Sequence, residues 1–362
     1  MTALAKILAR RIAATGPMPL SDYMAECLLN PEHGYYATRD PLGVAGDFTT
    51  APEISQMFGE LLGLCLVQSW LDQGAPKGVL VEAGPGRGTL MADIWRAARG
   101  VPGFHDAMQI RLIEASPVLR RAQAERLAGA PVDWLDSFDA LPEAPTWFVA
   151  NEFFDALPIR QFHRAGTGWR EVVVGLQGET LTPGLSPAAP LADLAHRLAD
   201  TKEGDVVETC PAAGPAMAVL ADRISRHGGA ALIVDYGDWR SLGDTFQALE
   251  NHAYADPFAH PGRADLTAHV DFETLARAAR PLEASALVPQ GALLGALGIE
   301  ARAARLAQSM TAEASNRHFA ALRRLTDGAE MGTLFKALAL VPAGAPMPPG
   351  FPPAPVPGET LR

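Results

Sequence analysis

Gly78-Val79-Leu80-Val81-Glu82-Ala83-Gly84-Pro85-Gly86-Arg87-Gly88-Thr89-Leu90-Met91-Ala92-Asp93-Ile94-Trp95 is the stretch whose reading decides the fold. Gly78 to Val81 is a short apolar run that reads as a buried strand, and Leu90 to Trp95 reads as the start of a helix. Between them, Gly84, Gly86 and Gly88 carry no Cβ, so the backbone there can turn with positive φ or come close to a ligand. A strand, a glycine turn and a helix N-terminus form a cradle in which a nucleotide-like ligand touches main chain. The next apolar run, Gln109-Ile110-Arg111-Leu112-Ile113, ends at Glu114, a carboxylate placed to accept hydrogen bonds from ribose hydroxyls.

The spacing separates two cofactor classes. A dinucleotide fingerprint has the form G-x-G-x-x-G with an acid about 20 residues on. Here the glycines are G-x-G-x-G, position 89 is Thr, and Glu114 lies 114 − 84 = 30 residues beyond the first glycine. Glu82 also stands two residues before Gly84. This pattern resembles the class I S-adenosylmethionine-dependent methyltransferases. The resemblance implies S-adenosyl-L-methionine as cofactor, with the glycine turn at its methionine half and Glu114 on its ribose. Glu82 and Thr89 flank the glycines and join the expected cofactor set.

Working outward, strands are expected at 78–83, 108–114, 131–135 and 146–151, with helices at 88–99 and 117–128. Strand–helix alternation implies a parallel sheet with helices on both faces. Residues 1–75 read as a helical N-terminal segment with a lid loop. A first helix from Ala3 to Ala14 has Leu4, Ile7, Leu8 and Ile12 on one face. Residues 76–176 read as the cofactor-binding core, beginning with that sheet and ending in a hairpin over 159–164 and 169–176. Residues 177–341 read as inserted helical elements plus the remaining core strands, at 230–237 and 335–341, with one long helix from Ile299 to Arg324. Residues 342–362 are too rich in proline for a helix and read as an extended, surface-bound tail.

Composition excludes several classes. The 362 residues carry 41 acids against 30 Lys plus Arg, a net charge of −11, which argues against a nucleic-acid partner because binding a phosphate backbone needs a basic footprint. No apolar run reaches the length of a membrane span. The three cysteines are scattered in apolar surroundings, read as reduced thiols, and no Cys/His spacing suggests a metal. Lys6, Arg10 and Arg11 without a nearby acid have a presequence-like composition, but the patterned sequence runs on without a linker, so the segment reads as an ordinary helix. Oligomeric state is not legible.

Two further segments carry chemistry. Asn151-Glu152-Phe153-Phe154-Asp155-Ala156-Leu157-Pro158 follows the fourth strand, at the carboxyl end where ligands of such sheets bind. Asn151, Glu152 and Asp155 are therefore the candidate catalytic residues. Gly43 to Glu60 is glycine-punctuated and reads as a lid over the cofactor, with Gly46, Phe48 and Thr49 as candidate contacts and Asp47 facing a cationic group.

Taken in order, Gly46-Asp47-Phe48-Thr49-Thr50-Ala51-Pro52-Glu53-Ile54-Ser55, Glu82 to Leu90, Ile113-Glu114-Ala115-Ser116-Pro117 and the N-E-F-F-D-A-L-P string resemble the MidA family, also called DUF185, over nearly the whole chain. The resemblance implies a protein arginine methyltransferase whose partner is a protein bearing arginine, a respiratory complex I core subunit in the mitochondrial relatives. It implies a bacterial cytoplasmic location, or the mitochondrial matrix in a eukaryote. A small-molecule methyltransferase and a non-catalytic, cofactor-binding assembly factor are the alternatives. Chemistry favours a carboxylate-lined acceptor site, because a guanidinium stays protonated and carboxylates orient its planar fork.

Overall fold

The structure is a computed structural model that describes residues 1–38, 49–250 and 252–354. It divides into two compact units that interleave along the chain: Met1–Phe48, Phe154–Gly214 and Arg240–Asp271 form one, and Thr49–Phe153, Pro215–Trp239 and Phe272–Arg362 form the other.

The second unit holds the central sheet. We number its strands β1 (Gly78–Ala83), β2 (Met108–Ile113), β3 (Val132–Leu135), β4 (Thr146–Asn151), β5 (Gly229–Asp238), β6 (Glu283–Ala284) and β7 (Phe335–Val341). Their order is β6-β7-β5-β4-β1-β2-β3. The pairs β1–β2, β1–β4, β2–β3 and β4–β5 are parallel, while β7 runs antiparallel to β5, with Ala231 opposite Leu340 and Tyr236 opposite Phe335. Every residue of β4 is buried, as is every residue of β1 beyond Gly78, so both faces of the sheet are covered. Leu80, Leu112, Val149 and Leu232 share one core with the helix Gln56–Asp72. Val81, Phe148 and Ile233 alternate with them and are equally buried.

Two glycines set the approach of two helices on that core. A Cβ on Gly59 would lie 2.7 Å from Asp93 Cβ, and one on Gly63 would lie 2.8 Å from Ile94 Cα. Gln56–Asp72 therefore seats directly on Thr89–Ala98, the helix that follows the glycine turn. Buried Glu60 adds an ionic link, accepting from Arg96 at 2.7 Å and from Arg302 at 2.8 Å. Burial alone would raise the Glu60 carboxyl, but the two guanidinium groups outweigh it and hold it below the usual range.

The first unit is richer in strand than composition suggests. The expected hairpin forms over Arg160–Ala165 and Gly168–Gln177, joined by Val206–Thr209, Thr180–Leu185 and Met18–Pro19. Gln247–Glu250, Ala253–Ala255 and Asp265–Thr267 make a second sheet. The helix Ala3–Thr15 buries Leu4, Ala5, Leu8 and Ile12, while Ile7 is 37% exposed and does not join that face as expected. At about 100° per residue, Ile7 falls about 60° outside the edge of the arc that Leu4, Ala5, Leu8 and Ile12 define.

The long helix expected from Ile299 to Arg324 is two helices, Ile299–Ala307 and Ala312–Thr326. Thr311 accepts from Ala314 N–H at 3.3 Å and restarts the second, satisfying one orphan donor of its first turn. The proline-rich tail is extended as far as it is described. Ser285 bridges to Pro353, Cys65 Sγ donates to Pro349 O at 3.3 Å, and Phe351 is buried. Among the described residues no helix is long and apolar enough to cross a membrane.

Candidate active site

The glycine turn leaves the end of β1 with all three glycines in the left-handed region: Gly84 at φ +62, Gly86 at +52 and Gly88 at +77. Gly84 answers a second demand as well, because a Cβ there would lie 2.7 Å from the Phe153 ring. The turn after β1 and the turn after β4, neighbouring strands, are thus in van der Waals contact through a glycine. Gly88 N–H donates to Pro85 O at 2.7 Å and Gly88 precedes the helix Thr89–Ala98, so the turn closes onto that helix N-terminus. Glu82, the last but one residue of β1, is 3% exposed and accepts from Met91 N–H. Its Oε2 has no partner among the described residues, and burial pushes its carboxyl up to about 8. A neutral Glu82 is what desolvation without a cation produces.

Glu114 follows β2. Its Oε1 accepts from Ser116 N–H at 2.8 Å and its Oε2 from Gln123 Nε2 at 3.2 Å. Burial raises the Glu114 carboxyl, and these hydrogen bonds oppose that rise. Fully buried Gln123 does more: its Nε2 also donates to Gly86 O at 2.7 Å, and its Oε1 accepts from Trp134 Nε1 at 2.7 Å. One amide therefore ties the Glu114 carboxylate to the glycine turn. Sequence reading missed Gln123, since a single Gln inside the helix Pro117–Arg126 carries no pattern of its own.

At the end of β4, Asn151 is buried, and Glu152 adopts φ +51, uncommon for a residue with a Cβ. Three contacts fix this turn. Glu152 N–H donates to Val234 O at 2.9 Å, Phe153 N–H donates to Asp235 Oδ2 at 3.2 Å, and Glu152 Oε1 accepts from Ala51 N–H at 3.0 Å. The same Oε1 accepts from Asn151 Nδ2 at 2.9 Å. The carboxamide of Asn151 is thereby oriented, and its Oδ1 is buried without a partner among the described residues.

Ala51 opens the short helix Ala51–Ile54, whose Glu53 accepts the hydroxyl hydrogen bond of Thr89. Thr89 is thus an anchor of the turn. Neither Glu53 nor Asp235 stood out as a site residue in the sequence, because their partners lie 36 and 82 residues away. Thr49 lies just before this helix and is half-buried; Gly46 and Phe48, with Asp47, fall outside the described residues.

Asp155 belongs to the first unit. There it is buried, and its carbonyl accepts from Ala268 N–H at 3.0 Å. Near it, Tyr36 donates to Asp265 Oδ1 at 2.7 Å. The second unit brings together Glu82, Gly84, Gly86, Gly88, Thr89, Glu114, Asn151 and Glu152 at the carboxyl ends of β1, β2 and β4. This set fits the expected cofactor on two counts: a glycine-lined turn backed by Glu114, and the buried Glu82 Oε2, which no group among the described residues meets.

Comparison with known proteins agrees with this geometry. Residues 61–290 match a family described as "Putative S-adenosyl-L-methionine-dependent methyltransferase". The protein named protein arginine methyltransferase NDUFAF7, mitochondrial, is similar in Danio rerio, 42% identical over 76% of this chain and 71% of that protein. Its Xenopus tropicalis counterpart is 36% identical over 94% of this chain and 86% of its own length. Among solved structures, a Burkholderia thailandensis protein bound to S-adenosyl-homocysteine superposes with a TM-score of 0.82 at 30% identity, covering 96% of this chain and 94% of that one.

Proposed function

The chain belongs to the family of S-adenosyl-L-methionine-dependent methyltransferases, and from that premise we propose that it methylates arginine side chains of a protein partner. The observation that carries the arginine reading is the 36% identity, over 94% of the chain, to a protein named as an arginine methyltransferase. We take the partner to be a respiratory complex I subunit, on the resemblance of the four motifs to the MidA family.

The second unit supplies what such a reaction asks of a protein. The glycine turn, Glu82 and Thr89 would hold the methionine half of the cofactor, and Glu114 would hold its ribose. When bound, the cofactor supplies a sulfonium methyl group: a nitrogen lone pair forms the new N–C bond as the C–S bond breaks, sulfur keeps the electron pair, and the nitrogen releases one proton to water. Alignment is the main thing the protein contributes to such a displacement. The pinned turn Asn151-Glu152-Phe153, in contact with the glycine turn, supports a rigid acceptor side.

Mass spectrometry of arginine methylation in cells with and without this chain tests the proposal. At least one methylarginine site should disappear from a complex I subunit when the chain is removed. An unchanged arginine-methyl proteome would overturn it.

A further inference from the structure

We propose that Asn151, which ends β4, and Glu152, which follows it, divide the work at the acceptor side: Asn151 Oδ1 accepts the N–H of the nitrogen that receives the methyl group, and Glu152 is the positioning residue that turns Asn151 toward it. The inference rests on the arginine reading above. Its basis is the pattern of used and unused atoms. Glu152 Oε1 already accepts two hydrogen bonds, from Ala51 N–H at 3.0 Å and Asn151 Nδ2 at 2.9 Å. A carboxamide has distinct donor and acceptor ends, so committing Nδ2 to Glu152 dictates where Oδ1 points. That Oδ1 is buried, at the carboxyl end of the sheet, and among the described residues no donor meets it.

A buried acceptor without a donor is costly and calls for a missing partner. A guanidinium offers up to five N–H donors and no acceptor, the complement of what the turn lacks. The short helix Ala51–Ile54 completes the device. It is tied to the β4 turn through Ala51 and to the glycine turn through Glu53 and Thr89. The acceptor oxygen is therefore fixed relative to the cofactor turn and not only to its own strand. Glu152 holds φ +51 in this arrangement, a backbone state that is kept where a side chain must be aimed. Asn151 does not carry the proton released on methylation, since a carboxamide is neither acid nor base near neutral pH.

The test uses the full chain, S-adenosyl-homocysteine calorimetry, and transfer of labelled methyl from S-adenosylmethionine into an extract of cells lacking the chain, read as an initial rate against extract concentration. Asn151→Ala should bind S-adenosyl-homocysteine within about threefold of wild type, while its plateau rate falls about a hundredfold, the scale of removing one preorganised hydrogen-bond partner. Glu152→Ala should lower the plateau with little change in the half-saturating extract concentration. Glu152→Gln, which keeps an oxygen for both donors, should recover most of that loss.

Transfer by Asn151→Ala at the wild-type rate would overturn the proposal. So would a loss of homocysteine-ligand affinity in a folded Asn151→Ala protein, which would assign Oδ1 to the cofactor. If Asn151→Ala does not fold, Glu152→Ala decides, and an unchanged plateau there overturns the positioning role. Wild-type labelling of a nitrogen other than arginine would sink the arginine reading while leaving the Asn151 role standing, so the two failures are distinguishable.

Discussion

Glu82 shows how much one buried carboxyl reports. Its pKa is raised by burial to about 8, so the folded protein holds it neutral at pH 7. The unfolded chain releases that proton near the ordinary glutamate value of 4.5. Wild-type stability is therefore fullest below that value and falls as pH rises to about 8, by up to about 1.4 kcal/mol per pH unit. Glu82→Gln, neutral in both states, lacks this fall. Urea midpoints of both proteins at pH 5, 7 and 9 should show the variant gaining on wild type between the first two points, with little further gain above pH 8. Parallel profiles would mean that Glu82 is ionised in the fold. Glu114 tests the other end of the cofactor turn. Glu114→Ala should cost about 1–3 kcal/mol of S-adenosyl-homocysteine affinity by calorimetry, as expected for a charged acceptor, and equal affinity would remove it from the site. Both acids were legible because each closes a strand beside a glycine or a turn. Gln123 and Glu53 were not, because their meaning lies in partners 37 and 36 residues away, which no local period encodes.

At the scale of elements, helix contact outweighs helix propensity. Gly63 sits inside Gln56–Asp72, where Ala would gain about 1 kcal/mol of propensity. Its Cβ would meet Ile94 Cα at 2.8 Å, a backbone atom, so two helices must part. Overpacking of this kind costs about 1–3 kcal/mol, so Gly63→Ala should lower the melting temperature, and a raised one would show that the contact is soft. Glu60 is the ionic counterpart. Glu60→Gln leaves Arg302 without its carboxylate partner and Arg96 with Asp93 alone. Because both guanidinium groups reach solvent, the loss should be about 2 kcal/mol, below that of a fully buried pair, measurable as a shift in urea midpoint. The elements that escaped sequence reading have physical reasons. Thr180–Leu185 contains Pro183 and Gly184, which read as a loop, yet it pairs with Gly168–Gln177 as an edge strand, where a missing N–H is tolerated. Gln247–Glu250 is composed of helix formers and is a strand because its neighbours on both sides hydrogen-bond to it.

For the whole molecule, the alternation from β1 to β4 was readable because buried parallel strands are short, apolar and separated by helices. The strand order was not readable, nor was the interleaving in which the chain leaves the sheet after Phe153, returns for β5 and leaves again after Trp239. What the interleaving preserves is the carboxyl edge of the sheet, where the turns after β1, β2 and β4 hold glycine backbone, Glu114 and Asn151. That edge, in a family of methyltransferases, is the ground for methyl transfer, and the proposed arginine acceptor rests on the 36% identity to a protein named as an arginine methyltransferase. The most direct test is to incubate the purified chain with methyl-labelled S-adenosylmethionine and an extract of cells lacking it, hydrolyse the labelled protein, and identify the labelled amino acid. Label in methylarginine of a discrete protein band is the predicted result. Label confined to the small-molecule fraction, or to a residue other than arginine, would contradict it.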